Sequence, residues 1–187
     1  MPSRVGVLAL QGGVIEHVKM LQRCGAKVVQ LREPEDLEGV EGLVLPGGES
    51  TALRKMMVEA GLKGPLNELL KQGVPCFGTC AGAILLAKQV DGKRGFFSVL
   101  DAKVSRNAYG RQVDSFETTL TARGLGKVRA VFIRAPIIES VSPNVQVLAS
   151  FQGKPVLVRQ GKILAATFHP ELTSDMRVHK YFLKMLS

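Results

Sequence analysis

Tryptophan is missing from this sequence, and aromatic residues are scarce throughout: eight phenylalanines and two tyrosines in 187 residues. A nucleic-acid surface needs aromatic faces for base stacking, set within a basic stripe. The formal charge of +9 comes instead from Lys and Arg scattered in ones and twos, so it reads as solvated surface and nucleic-acid binding is not expected. Cysteine is also sparse. Cys24, Cys76 and Cys80 are odd in number and lack paired metal-ligand spacing, which argues against a disulfide framework and a zinc site. Neither a metal nor a cofactor is expected. No run of eighteen apolar residues occurs, and Met1-Pro2-Ser3-Arg4 leads straight into a strand-like segment rather than a signal peptide. A cytoplasmic protein without a membrane span is expected. With no internal repeat, low-complexity segment or long linker, residues 1–187 are expected to form one domain. Its length allows one good core but no second large catalytic domain.

What is present is an alternation of short apolar runs with helical periods. Strands are expected at 5–10, 26–31, 42–45 and 74–77, with helices after the first and third: Val14, Val18 and Leu21 mark one, and 51–59 and 62–71 two more. Fully apolar strands separated by helices imply a parallel sheet covered on both faces. Beyond Gly95 the pattern changes to strands at 99–104, 115–120, 128–133, 145–150, 155–159 and 163–168, broken by Gly, Pro and Asn, before a final helix at 175–186. The expected class is therefore α/β, a three-layer sandwich around a mostly parallel central sheet with additional antiparallel strands. In such sheets ligands gather at the carboxyl ends of the parallel strands.

Four constellations fall at those ends. Gly78-Thr79-Cys80-Ala81-Gly82 has the form of a sharp strand-to-helix turn that lifts a nucleophile above the sheet. At a helix amino terminus, dipole and backbone N–H groups favour a thiolate and can bind an oxyanion. Taken alone, the turn fits a buried capping cysteine as well. Phe168-His169-Pro170-Glu171 places a histidine and a carboxylate two residues apart after a strand, so that Glu171 can fix the ring of His169. Leu45-Pro46-Gly47-Gly48-Glu49-Ser50-Thr51 is a third strand, turn and helix, whose glycines let backbone approach a ligand and whose Ser50 or Thr51 can cap the helix. The fourth pairs Ser105-Arg106-Asn107 and following residues with Phe132-Ile133-Arg134-Ala135-Pro136. An arginine at a strand end suits a carboxylate fork, or simply a surface. The remaining histidines, His17 and His179, lie on helical patterns and read as surface or interface residues.

At these residues the chain resembles the class I glutamine amidotransferases, the type with a Cys in an elbow and a His-x-Glu near the end. The motifs LALQGG with Glu16-His17, LPGGEST, FGTCAG, RNAYGRQVDSFE, VFIRAP and FHPELT are similar to those of the glutaminase subunits of pyridoxal 5'-phosphate synthase, and the resemblance covers the whole length. It implies hydrolysis of L-glutamine to glutamate and ammonia through a cysteine thioester. The ammonia would pass to a separate synthase subunit in a hetero-oligomer. By resemblance Cys80 is the nucleophile, His169 the base and then acid, and Glu171 its orienting carboxylate. Gly48 and Ala81 offer oxyanion N–H groups, while Gly48, Glu49, Ser50, Arg106, Ile133 and Arg134 match glutamine-binding positions. Ser105 departs from the acidic residue that often precedes the Arg-Asn pair. Cysteine hydrolases of the DJ-1 and intracellular protease group place a His directly after the nucleophile, where this chain has Ala81.

Overall fold

The computed structural model describes residues 1–106 and 115–187; the part of the RNAYGRQVDSFE motif from Asn107 to Asp114 lies outside them. Four short strands, β1 (Arg4–Leu8), β2 (Lys27–Leu31), β3 (Gly42–Leu45) and β4 (Cys76–Thr79), run parallel. A fifth parallel strand, β13 (Ile163–Ala166), joins β4 on its other side. Two antiparallel strands, β12 (Lys154–Gln160) and β11 (Gln146–Phe151), extend the sheet to the order β11-β12-β13-β4-β3-β1-β2.

Alternation along these strands divides the core in two. Leu43, Leu45 and Cys76 pack with α2 (Ser50–Glu59), α3 (Lys63–Lys71) and α4 (Ala81–Leu86). Val5, Val7, Val44, Phe77 and Leu164 pack on the opposite face with α1 (Val14–Arg23) and α5 (Arg177–Lys184). Successive side chains on a strand point to opposite faces, so a fully apolar strand serves both layers. The extra strands divide in the same way. A small sheet of β5 (Ala87–Val90), β6 (Lys93–Arg94), β7 (Leu100–Ser105) and β10 (Ile137–Val141) closes the first core through Leu100, Ala102, Val104 and Ile138. The hairpin of β8 (Ser115–Ala122) and β9 (Gly126–Ile133) closes the second through Leu120, Val128 and Phe132.

The three-layer sandwich expected from the sequence is the observed one, with differences of detail. β4 starts at Cys76 rather than Val74 because Gly73, at φ 82°, ends α3 in a left-handed turn and the Val74 N–H stays bonded to Leu69 O. β5, β6 and β10 all lie where no strand was expected, and β5 follows α4 with no loop. Only Ile138 of β10 is fully buried, which leaves the segment without a clear alternation. No helix among the described residues is long and apolar enough to cross a membrane.

Candidate active site

Since β1, β3, β4 and β13 are parallel, their carboxyl ends meet along one edge; β3, β4 and β13 lead into three of the constellations and β1 into Gln11-Gly12-Gly13, whereas the fourth, expected at the same ends, follows β7 and β9 of the two smaller sheets. At the end of β4, Cys80 sits at φ 50°, ψ −106°, a left-handed conformation that costs energy for any residue with a Cβ. Its N–H donates to Ala166 O at 2.8 Å, and its carbonyl accepts from Ile84 N–H at 3.2 Å. The flanking glycines are required by packing. A Cβ on Gly82 would stand 1.9 Å from the Leu45 carbonyl oxygen, and one on Gly78 would stand 2.6 Å from the Gly82 backbone. The helix start thus crosses directly over the end of β3. Ala81, the first residue of α4, carries one of the first-turn N–H groups that have no partner within a helix.

His169 follows β13 and is held by its own N–H, which donates to Val131 O of β9 at 2.7 Å. Its Nδ1 lies 2.6 Å from Glu171 Oε1. The chain is not extended here: Pro170 opens a short 3-10 turn, Pro170–Leu172, which folds the buried Glu171 back under the ring. Burial works against charge on His169, but hydrogen bonds to Cys80 and Glu171, with their negative charges, outweigh it and push the pKa up to about 10. The His169 ring is therefore set to hold a proton beside Cys80.

Cys80, His169 and Glu171 share an open cleft of about 390 Å³ with Gly12, Gly13, Glu16, Gly47, Gly48, Ile133, Arg134 and Leu172. Cys80 Sγ lies 3.9 Å from the carbonyl of Ile133, and Arg134 adopts a positive φ of 43° at the cleft wall. The Gly47 carbonyl accepts from Gly13 N–H at 3.1 Å. Because a trans peptide is planar, the Gly48 N–H points away from Gly13.

The other expected glutamine-binding residues stand beside the cleft rather than in its wall. Glu49 caps α2, accepting from Thr51 N–H at 3.0 Å and Ala52 N–H at 2.7 Å, which holds its carboxyl below the usual range. Ser50 is buried, and with Arg106 it lines a narrow adjoining crevice. Arg106 Nε donates to Asp91 Oδ2 at 2.6 Å, its backbone N–H to Asp91 Oδ1 at 3.0 Å, and Nη1 to Thr51 Oγ1 at 3.2 Å. Asp91 thus supplies, from fifteen residues upstream, an acidic partner that Ser105 does not.

The reading of His17 and His179 as surface or interface residues is overturned. Both are fully buried. His17 Nε2 is 2.9 Å from Thr79 Oγ1 and 3.5 Å from Glu171 Oε2, and its Nδ1 is 2.9 Å from His179 Nε2. The signal was in the helical period. His17 falls on the face of Val14, Val18 and Leu21, and His179 on that of Val178 and Phe182.

Residues 7–187 match the SNO glutamine amidotransferase family. A pyridoxal 5'-phosphate synthase subunit PdxT of Moorella thermoacetica is 51% identical, covering 98% of this chain and 99% of its own length. The protein of the same name from Desulforamulus reducens is 53% identical over 97% of this chain and 98% of its own. A crystal structure of a glutamine amidotransferase superposes with a TM-score of 0.92 at 49% identity, covering 97% of this chain and 98% of that one. The structure of PurLQS from Thermotoga maritima shares the fold alone, with a TM-score of 0.75 at 14% identity and full coverage of both chains.

Proposed function

The chain belongs to the SNO glutamine amidotransferase family, and from that premise we propose that it hydrolyses L-glutamine and delivers the ammonia to the synthase subunit of a pyridoxal 5'-phosphate synthase. The observation that carries the chemistry is the meeting of the elbow cysteine Cys80 with the 2.6 Å His169–Glu171 pair in one cleft. Cys80 gives its proton to His169 and the thiolate attacks the side-chain amide carbon. The oxyanion that forms is received by the N–H groups of Gly48 and Ala81. His169 returns the proton to the departing nitrogen, which leaves as ammonia. Water, deprotonated by the same ring, then hydrolyses the glutamyl thioester and restores the thiol. Ile133 and Arg134 in the cleft wall, with Glu49, Ser50 and Arg106 at its side, form the set assigned to the amino-acid end of glutamine.

The names of the relatives describe those proteins as subunits of a pyridoxal 5'-phosphate synthase, which supports an acceptor on a separate subunit. We place part of the partner contact on the turn after β1, where Gln11 stands at a strand end. Gln11 Oε1 accepts from Glu49 N–H at 2.8 Å while Gly13 N–H holds the Gly47 carbonyl. A partner pressing on this turn would set the direction of the Gly48 N–H, and with it the oxyanion site.

The test is ammonia release from L-glutamine by the chain alone, with a pyridoxal phosphate synthase subunit, and in Cys80→Ala. Release that depends on Cys80 supports the chemistry, and stimulation by the synthase subunit supports the partnership. Unchanged release in Cys80→Ala would sink the catalytic assignment. Equal turnover with and without the partner, or a Gln11→Ala variant as responsive as wild type, would sink the coupling.

A further inference from the structure

Beneath the cleft lies a buried polar chain that the acyl-transfer steps do not use: His179 of α5, His17 of α1 and Thr79 at the end of β4, leading to Glu171. Glu171 Oε1 is taken by His169, while Oε2 is buried and has no hydrogen-bond partner within normal distance among the described residues. An unsatisfied carboxylate oxygen in this setting is costly. His17 Nε2 lies 3.5 Å from it and also meets Thr79 Oγ1 at 2.9 Å.

With both imidazoles neutral, a single proton sits between His17 Nδ1 and His179 Nε2, and two arrangements are possible. If His17 Nδ1 carries it, the bare lone pair of His17 Nε2 faces the carboxylate. In that case His179 must also bury an N–H at Nδ1, an atom without a partner. If His179 Nε2 carries it, His17 presents Nε2–H toward Thr79 and Glu171, and only a lone pair is orphaned at His179 Nδ1. Buried orphan donors are rarer than orphan acceptors, which favours the second arrangement.

We propose that His17, oriented by His179, is a positioning residue for Glu171, presenting Nε2–H to Oε2 and Thr79 Oγ1 while both imidazoles stay neutral. The role rests on the reading of Cys80, His169 and Glu171 as the catalytic set. A neutral donor suits the position, because a cation there would compete with the His169 imidazolium for the charge of Glu171. Burial, followed by the neighbouring His179 and His169 charges, holds His17 well below the ordinary histidine range, and burial holds His179 at about 3. The titratable groups facing His17 are Glu171 and His169 from the segment after β13 and His179 from α5. Glu16 of its own helix turns to the cleft. The rings are fixed by Phe77, whose centroid lies 6.1 Å from His17 and 5.5 Å from His179, both edge-on.

The test begins with the unaltered chain, uniformly labelled at histidine nitrogen. Its three histidines can be separated by long-range proton–nitrogen correlation. His17 is expected with a protonated Nε2 and a bare Nδ1, unchanged from pH 5 to 9. A proton on Nδ1, or titration in that range, would overturn the proposal without recourse to a variant. His17→Leu is then expected to lower kcat for glutamine hydrolysis about tenfold, with KM unchanged, measured with the synthase subunit present. It should also lower the titration midpoint of His169 by about one pH unit as Glu171 loses its fixed position. His17→Gln, which keeps an N–H donor near the same place, should restore both. Wild-type kcat and His169 titration in His17→Leu would refute the role. Full activity in Cys80→Ala would instead refute the catalytic reading and leave the tautomer assignment standing.

Discussion

Gly47 has no room for a side chain on the side that faces the catalytic ring. A Cβ there would stand 2.5 Å from His169 Cε1 and 3.3 Å from Cys80 Cβ. Gly47→Ala is therefore expected to displace His169 and lower kcat about 10²-fold, since displacements of this size at a reacting group cost that much. The clash is with a side chain at the cleft wall, so the melting temperature should change little; a variant of full activity would refute this placement. The three histidines also give stability opposite pH dependences. His169 has a folded pKa raised to about 10, so its imidazolium stabilises the fold fully below the unfolded value of about 6.5 and the contribution is lost as pH rises toward 10. His179, held at about 3, is neutral in the fold. The unfolded chain binds its proton first as pH falls below about 6.5, and stability drops. His17 acts in the same direction. His179→Phe, set among Phe77 and Phe182, should flatten the acid-side fall in melting temperature between about pH 6.5 and 4.

Among the elements, the elbow between β4 and α4 is the most tightly constrained. Gly82→Ala would drive a Cβ to within 1.9 Å of the Leu45 carbonyl. The loss in unfolding free energy, read by urea denaturation, is expected to be about 3 kcal/mol or more, the upper range for overpacking. The β5–β6 turn has the opposite character. Asp91, in a left-handed conformation at φ 49°, is more than a third exposed, so its pair with Arg106 adds little to stability. It does orient the guanidinium. Asp91→Ala is expected to raise KM for L-glutamine about tenfold with kcat near wild type; an unchanged KM would separate Arg106 from substrate binding. The parallel strands, the elbow and the His-x-Glu pair were all legible in the sequence, because each carries its signal within a few consecutive residues. What was not legible depends on distance along the chain. Asp91 reaches Arg106 from the β5–β6 turn, and Gly95, whose Cβ would stand 1.7 Å from Ala87 O, lies against the start of β5, directly after α4. His17 and His179 lay on apolar helical faces, but their polarity masked the period.

At the scale of the whole molecule, the candidate site is concentrated at one edge of the central sheet. β4 lies between β3 and β13. Cys80 is bonded through its backbone to Ala166 of β13, and His169 through its own to Val131 of β9. During refolding from urea, alkylation of Cys80 by a glutamine analogue should therefore recover together with the last-recovered fluorescence or circular-dichroism signal, since non-local pairings form the site. Recovery well ahead of the global signal would show that the elbow assembles alone. The same topology orders events on the ribosome. Cys80 emerges long before His169 and Glu171, and until β13 follows, its elbow lacks the backbone that anchors it. On the proposed mechanism, a nascent chain that holds Cys80 without His169 and Glu171 would spend no glutamine and release no unclaimed ammonia.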